Sequence, residues 1–154
     1  MKILIVDDDF VSRRKLEALL SVYGECDIAE NGSQGYEMFE KSHETSSGYD
    51  LVTMDIEMPG MSGHEVLCKI REWEEANDIY KHGENVKILM VTSMESRTDI
   101  MSSFREGCEG YLRKPITPEN LEESLSKIGI NKPGHIEPVG KGKEETVQNS
   151  SPEK

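Results

Sequence analysis

The sequence predicts an α/β domain with a five-stranded parallel sheet and five helices on its two faces. Short apolar runs alternate with longer segments in which apolar residues recur at helical spacing. Strands that are separated by helix-length segments pair in parallel and carry helices on both faces of the sheet. The chain has 154 residues, which is long enough for one domain with a substantial core.

Each predicted element rests on a local pattern. The run at 3–6 is continuous and β-branched, as is typical of a strand that is covered on both faces. The other strands are predicted at 26–29, 51–54, 86–91 and 110–112. Five helices are predicted from capping residues at their starts and, for three of them, a glycine at the end. The first runs from after Asp9 to Gly24, the second covers 33–41, and the third is capped by Ser62. The fourth is capped by Ser96 or Thr98 and ended by Gly107, and the fifth is capped by Thr117 and ended by Gly129.

Composition divides the chain into a domain at 1–129 and a tail at 130–154. The tail is rich in glycine, proline, lysine, glutamate and serine, so we expect it to be disordered. The formal net charge is −12, which argues against non-specific binding to nucleic acid or to acidic membranes. The charge is compatible with a divalent cation or a basic protein partner.

The three cysteines are far apart and show no metal-binding or redox spacing. We therefore expect reduced thiols in a cytoplasmic protein. The amino terminus has only a short apolar run and does not read as a signal sequence, and no stretch is long enough to span a membrane.

Chemically active side chains follow four of the predicted strands. Asp7, Asp8 and Asp9 follow the first strand, Asp55 the third, Thr92 the fourth and Lys114 the fifth. Right-handed crossovers place the carboxyl ends of all parallel strands at one edge of the sheet. We therefore expect these side chains to converge, although each alone fits an ordinary turn, cap or solvated lysine.

Carboxylates without histidine or cysteine suit a hard cation such as Mg²⁺, which takes oxygen ligands. A cation would offset the repulsion among Asp7, Asp8 and Asp55, and together with Lys114 it would create a receptacle for a phosphoryl group. Asp55 can then act as a nucleophile that forms an acyl phosphate. Thr92 can donate a hydrogen bond to a phosphoryl oxygen.

These motifs resemble the receiver domain of two-component response regulators over residues 1–129. The matching pieces, in order, are ILIVDDD at 3–9, DIEMPGMSG at 55–63, VTS at 91–93 and GYLRKP at 110–115. The resemblance implies a flavodoxin-like sheet with strand order 2-1-3-4-5. It also implies a stand-alone receiver, since no DNA-binding or enzymatic output domain follows.

The resemblance implies a role for each matching residue. Asp55 is the phosphoacceptor for a phosphohistidine on a sensor histidine kinase or a histidine phosphotransfer protein. Mg²⁺, for which Mn²⁺ can substitute, is ligated by Asp8, Asp55 and the backbone carbonyl of Glu57, while Asp7 holds a metal-bound water. Lys114 contacts a phosphoryl oxygen, and its peptide bond to Pro115 is expected to be cis. Thr92 and Tyr111 form the switch. Glu57 and Met94 tune the lifetime of the phosphorylated form.

The downstream partner stays open, and the protein is expected to be a monomer or a phosphorylation-dependent dimer. Two other interpretations remain open. A Mg²⁺-dependent phosphatase with an aspartate nucleophile would want a second aspartate at the position of Glu57 and a cap domain. A receiver-shaped scaffold that acts without phosphorylation would not need the chemical residues that are all present here.

Overall fold

The computed structural model describes residues 1–93, 101 and 105–134, with only the backbone at 80 and 81. Its elements in chain order are β1 Lys2–Val6, α1 Phe10–Leu20, β2 Glu25–Ala29, α2 Gly32–Glu44, β3 Leu51–Asp55, α3 Gly63–Ala76, a 3-10 turn Ile79–His82, β4 Lys87–Thr92, β5 Gly110–Arg113 and α4 Pro118–Lys127. The strands form one parallel sheet in the order β2-β1-β3-β4-β5, which confirms the predicted topology.

The predicted count of five helices is not matched, because the described residues contain four α-helices. The helix predicted between β4 and β5, with its candidate caps Ser96 and Thr98, falls mainly on residues 94–100 and 102–104, which lie outside the described residues. Of that segment, Met101, Arg105 and Glu106 are helical.

Side-chain caps fix where each helix begins. The side chains of Asp9, Asn31, Ser62 and Thr117 each accept a hydrogen bond from the backbone N–H three residues later. Ser62 and Thr117 confirm the predicted caps, and Pro118 follows Thr117 in the first turn of α4. Each of these four caps follows the carboxyl end of a parallel strand, so all four helices begin at the same edge of the sheet.

Two predicted helix ends were wrong. The first helix ends at Leu20, and Gly24 instead lets the chain pass the backbone of Met1, where a Cβ would collide with the carbonyl. The second helix extends to Glu44, and in its last turns the buried Ser42 hydroxyl donates to the Phe39 carbonyl at 2.6 Å. Polar residues therefore masked the last turn of α2 in the sequence.

Two apolar layers hold the sheet between its helices. Residues of β1, β3 and β4 such as Val52 and Met90 pack against α2 and α3 on one face. Alternate residues such as Ile5 and Leu89 pack against α1 and α4 on the other face. Ile130, just after the predicted domain end, is buried in the second layer, and its N–H donates to the Leu125 carbonyl at 2.8 Å. Residues 135–154 of the predicted tail lie outside the described residues.

In the part of the chain that the structure describes, no helix has the length and apolar character needed to cross a membrane.

Candidate functional site

The candidate site lies where four strands end at the carboxyl edge of the sheet. Asp7 follows β1, Asp55 ends β3, Thr92 ends β4, and Lys114 follows β5. The strand register places Asp55 beside Val91 and Thr92 beside Arg113, so the four side chains share one edge as the sequence predicted. Asp7 and Thr92 are fully buried and Asp55 is 5% exposed, so the side chains of all three are largely shielded from solvent.

Lys114 places a positive charge between two buried carboxylates. Its Nζ lies 3.2 Å from Oδ2 of Asp7 and 3.6 Å from Oδ2 of Asp55. Its backbone N–H donates to the Thr92 carbonyl at 2.8 Å, which fixes the chain next to the switch candidate. The peptide bond from Lys114 to Pro115 is cis, as the resemblance implied.

Asp7, Asp8 and Asp55 form an all-oxygen cluster that fits a hard divalent cation. One carboxylate oxygen of each lies within 4.8 Å of the others, and Asp8 is exposed to solvent while the other two are buried. Oδ2 of Asp7 is buried and accepts no hydrogen bond from the described residues, although Lys114 lies nearby. Three carboxylates face one ammonium, so a bound cation such as Mg²⁺ would offset the excess negative charge.

The electrostatics of the pocket appear in two pKa shifts. Burial, followed by the neighbouring Asp7 carboxylate, raises the pKa of Asp55 to about 7 even though Lys114 opposes the shift. Burial lowers the pKa of Lys114, but the carboxylates of Asp55 and Asp7 outweigh it and raise that pKa above its ordinary value. Without a bound cation the pocket therefore holds more negative than positive charge, which favours the binding of a cation.

Asp9, the third acid of the run, serves the helix rather than the pocket. Its Oδ2 accepts hydrogen bonds from the N–H and hydroxyl of Ser12, at 3.0 and 2.8 Å. These bonds hold the pKa of Asp9 below its ordinary range. The N–H of Asp9 in turn donates to Oδ1 of Asp7 at 2.9 Å. The cap thus begins α1 and orients the buried acid at the same time.

The loop after Asp55 is held tightly against the pocket. The N–H of Glu57 donates to Oδ1 of Asp55 at 3.3 Å, whereas the Glu57 side chain is exposed. The N–H of Gly63 donates to the Ile56 carbonyl at 3.0 Å. A Cβ at Gly63 would collide with the Asp55 carbonyl, so α3 begins in direct contact with the backbone of Asp55.

The two switch candidates lie on neighbouring strands. Thr92 is fully buried at the end of β4, and Tyr111 of β5 is partly buried against the layer formed with α2 and α3. Tyr111 pairs with Met90, two residues before Thr92. Met94, the second residue expected to tune the lifetime of the phosphorylated form, lies outside the described residues.

The charge of Arg13 favours a place on the solvated face of the first helix, but the structure buries this side chain. The side chain is 8% exposed, and its Nη1 donates to the Asp7 carbonyl at 2.9 Å. The missed signal is its spacing, because Arg13 precedes Leu16 by three residues and Leu20 by seven and so shares their buried stripe.

Comparisons with known proteins agree with this geometry. The family model of the response regulator receiver domain matches residues 3–126. Chemotaxis protein CheY-3 of Vibrio cholerae is 37% identical over 130 residues, which cover 83% of this chain and 91% of that protein. Hybrid signal transduction histidine kinase I of Dictyostelium discoideum is 33% identical over 126 residues, which cover 81% of this chain but only 7% of that larger protein.

A solved structure shares the fold. It is the co-crystal structure of the Saccharomyces cerevisiae histidine phosphotransfer signaling protein Ypd1 and the receiver domain of its downstream response regulator Ssk1, which matches with a TM-score of 0.69 and 26% identity over 81% of this chain and 86% of that chain. Members of this family are generally signalling modules rather than enzymes. The fold, the acidic edge and these similarities together show that this chain belongs to the response regulator receiver domain family and is a phosphoacceptor response regulator of two-component signalling.

Proposed function

We propose that Asp55 is the phosphoacceptor and that it takes its phosphoryl group from a phosphohistidine on a sensor histidine kinase or a histidine phosphotransfer protein. One observation carries this assignment: the Asp55 carboxylate is buried between the Lys114 ammonium and the Asp7 and Asp8 carboxylates. The solved complex of a histidine phosphotransfer protein with a similar receiver domain supports the class of donor.

In the proposed transfer, a carboxylate oxygen of Asp55 forms a bond to phosphorus while the bond from phosphorus to the histidine nitrogen breaks. The nitrogen leaves with the electron pair, and Asp55 becomes an acyl phosphate. Lys114 stabilises negative charge on a phosphoryl oxygen, and it needs only a small displacement from its present position between Asp7 and Asp55. The Glu57 N–H keeps the acceptor carboxylate oriented before the reaction.

Asp8, Asp55 and the Glu57 carbonyl are the proposed ligands of Mg²⁺, with Mn²⁺ as a substitute, and Asp7 is proposed to hold a metal-bound water. A bound divalent cation supplies charge that balances the phosphoryl oxygens near three carboxylates. The observation that supports a cation site in this chain is the cluster of Asp7, Asp8 and Asp55, in which one carboxylate oxygen of each residue lies within 4.8 Å of the others.

Thr92 and Tyr111 are the proposed switch. Phosphorylation adds negative charge at Asp55, the Thr92 hydroxyl turns toward it, and Tyr111 moves into the space that Thr92 leaves. The position of Thr92 supports this role, because its carbonyl accepts the N–H of Lys114 and links both residues to the same pocket. The changed surface then meets a downstream protein, and the active form is a monomer or a dimer.

Glu57 and Met94 are the proposed determinants of how long the acyl phosphate lasts. A bulky apolar Met94 would hinder the attacking water and lengthen the life of the phosphorylated form. A dephosphorylation half-life of seconds would contradict this proposal.

The donor protein is proposed to dock at the start of α1, beside the pocket, and to do so in the cytoplasm. Phe10 and Val11 directly follow the Asp7–Asp9 run and are 61% and 70% exposed. Two adjacent exposed apolar side chains at the rim of the acceptor pocket suit an apolar contact with a phosphorylated histidine domain. The described cysteines are all free thiols, which fits a reducing compartment.

Incubation with Mg²⁺ and acetyl phosphate tests the assignment. The proposal expects one acid-stable, base-labile phosphoryl adduct that the Asp55→Asn variant does not form, and it expects beryllofluoride to change the environments of Thr92 and Tyr111. A phosphatase would instead hydrolyse added phosphomonoesters, and a scaffold would neither form the adduct nor hydrolyse phosphomonoesters. Either of those two outcomes would overturn the proposal.

A further inference from the structure

We propose that Arg13 is a positioning residue that orients the peptide between Asp7 and Asp8, and through it holds the Asp8 carboxylate ready to bind the divalent cation. This inference rests on the proposed function of the acidic cluster. Arg13 touches no reacting group, so it acts through the backbone of the acids.

The position of the Arg13 side chain is fixed from both ends. At its backbone, the N–H of Arg13 donates to the Asp9 carbonyl at 3.0 Å, in the first turn of the helix that Asp9 caps. At its tip, Nη1 donates to the Asp7 carbonyl at 2.9 Å, in a buried contact. The helix therefore reaches back to the chain segment from which it starts.

The Asp7 carbonyl matters because the peptide group is planar. Fixing the carbonyl oxygen of Asp7 also fixes the N–H and Cα of Asp8, which belong to the same plane. The other polar groups of Asp7 are already engaged: its N–H donates to the Ala29 carbonyl at 3.2 Å, its Oδ1 accepts from Asp9, and its Oδ2 faces Lys114. Arg13 is the contact that sets the remaining orientation of this peptide.

Asp8 depends on this support because its own side chain has little else to hold it. Within residues 1–93, 101 and 105–134, the Asp8 carboxylate makes no hydrogen bond or ion pair, and it is exposed. Its oxygen nevertheless lies within 4.8 Å of oxygens of Asp7 and Asp55. Backbone orientation must therefore keep Asp8 in the cluster.

A purely electrostatic role for Arg13 predicts the opposite behaviour. The guanidinium is positive and lies beside an acidic cluster, so as a charge alone it would repel a divalent cation, and its removal would strengthen cation binding. As a positioning residue it holds the ligand set together, and its removal would weaken cation binding. The sign of the change in Mg²⁺ affinity separates the two roles.

Titration of the full chain with Mg²⁺ by calorimetry tests the inference. Loss of a residue that orients a metal ligand typically weakens metal binding about 10- to 100-fold, so we expect an increase of this size in the Mg²⁺ dissociation constant of Arg13→Met. Arg13→Lys keeps the charge but moves the donor, and we expect an intermediate dissociation constant. Arg14→Met is the matched control, because Arg14 is adjacent, carries the same charge and, like Arg13, lies over the Phe10 ring. Each arginine has a glutamate partner, Glu30 for Arg13 and Glu17 for Arg14, but Arg13 is the one that bonds the Asp7 carbonyl.

A double-variant cycle tests whether Arg13 acts through Asp8. Arg13→Met should weaken Mg²⁺ binding in the wild-type background and have little further effect in the Asp8→Asn background. Equal effects in both backgrounds, or unchanged or tighter binding by Arg13→Met, would overturn the inference. If Arg13→Met does not fold, the Arg13→Lys variant decides: a Mg²⁺ dissociation constant equal to that of the wild type would overturn the inference. A wild-type chain that binds no Mg²⁺ would refute the proposed function of the cluster, which is a separate result.

Discussion

The ammonium of Lys114 lies closer to Asp7 than to Asp55, at 3.2 Å against 3.6 Å between Nζ and Oδ2. The lysine is thus anchored by the acid that is not expected to react, and it remains near the one that is. This arrangement holds a positive charge at the place where phosphoryl oxygens are proposed to arrive, with the shorter ion pair to Asp7 and the longer one to Asp55.

Lys114→Met should slow phosphorylation by acetyl phosphate and strengthen Mg²⁺ binding. Loss of a charged donor to a phosphoryl oxygen costs about 10²- to 10³-fold in rate, whereas loss of a like charge beside a divalent cation favours that cation. Mass spectrometry of the adduct and calorimetry measure the two effects. Lys127→Met, at an exposed lysine paired with Glu123, is the control, and weaker Mg²⁺ binding by Lys114→Met would contradict this prediction.

Thr53→Val should stabilise the protein. Thr53 is fully buried in β3, two residues before Asp55, and its hydroxyl oxygen has no hydrogen-bond partner among the described residues. Removal of an unsatisfied buried hydroxyl recovers about 1–3 kcal/mol. Urea denaturation measures the change, and Thr53→Ser should destabilise because it keeps the hydroxyl and loses a methyl group. A lower stability of Thr53→Val would show that the hydroxyl is satisfied in solution.

Arg71→Met should destabilise the fold strongly. Arg71 on α3 donates to Glu74, to both carboxylate oxygens of Glu109 at 2.9 Å, and to the carbonyls of Val86 and Gly107. Its removal leaves the fully buried Glu74 carboxylate without its cation, at a cost of about 3–5 kcal/mol.

Urea denaturation of Arg71→Met checks this cost at neutral pH. The exposed pair of Arg14 with Glu17 supplies the comparison, because Arg14→Met should change the free energy of unfolding by less than about 1 kcal/mol. Similar changes in the two variants would contradict the assigned role of Arg71.

His43 should make stability fall as the pH drops below about 6.5. The ring lies 4.8 Å from Phe39 and 4.5 Å from Trp73 between ring centroids, and its Nε2 is buried without a partner among the described residues. Burial lowers the pKa of His43, while Glu74 opposes the shift. Below the unfolded value of 6.5 the unfolded chain therefore binds more protons than the folded one, and unfolding is favoured.

Urea denaturation at pH 7.5 and 5.5 in wild type and His43→Phe isolates this contribution. The wild type should lose more stability than the variant between the two pH values, because phenylalanine takes no proton. Equal losses would show that His43 does not respond in this range.

Val11→Asp should slow phosphoryl transfer from a protein donor but not from acetyl phosphate. Val11 is 70% exposed at the start of α1, where the donor is proposed to dock, and a charge there disfavours an apolar contact. Phosphorylation by a histidine phosphotransfer protein that acts on the wild type gives the rate. Val22→Asp, at an exposed valine two residues beyond the other end of α1, is the control, and equal slowing by both variants would move the docking surface away from the pocket rim.

The strand order was implied by the resemblance to receiver domains. The sequence itself predicted the meeting of Asp55, Thr92 and Lys114, because this depends on simple rules. Apolar runs mark strands, and parallel strands bring their carboxyl ends to one edge. The sequence left the role of Asp9 open, since aspartate is common both as a helix N-cap and as a metal ligand. The hydrogen bonds from Ser12 to Asp9 decide in favour of the cap.

The buried arginines escaped the sequence analysis for a different reason. Arg71 joins α3 to segments before β4 and β5, and nothing local in the sequence points to Glu109 as its partner. The spacing of Arg13 from Leu16 and Leu20 was a local signal that its side chain is buried, but its charge indicated a solvent-exposed side chain. Long-range hydrogen bonds to backbone carbonyls are set by the assembled fold, so no window of sequence contains them.

The absence of a Cβ at Gly63 has a practical consequence for protein engineering. Helix α3 rests on the carbonyl of Asp55 with no space for a methyl group, so residues 55–63 behave as one inseparable unit. A randomised library at position 63 should return glycine alone among active clones. Chimeras that join this receiver to other signalling proteins should therefore place their crossover points outside that unit.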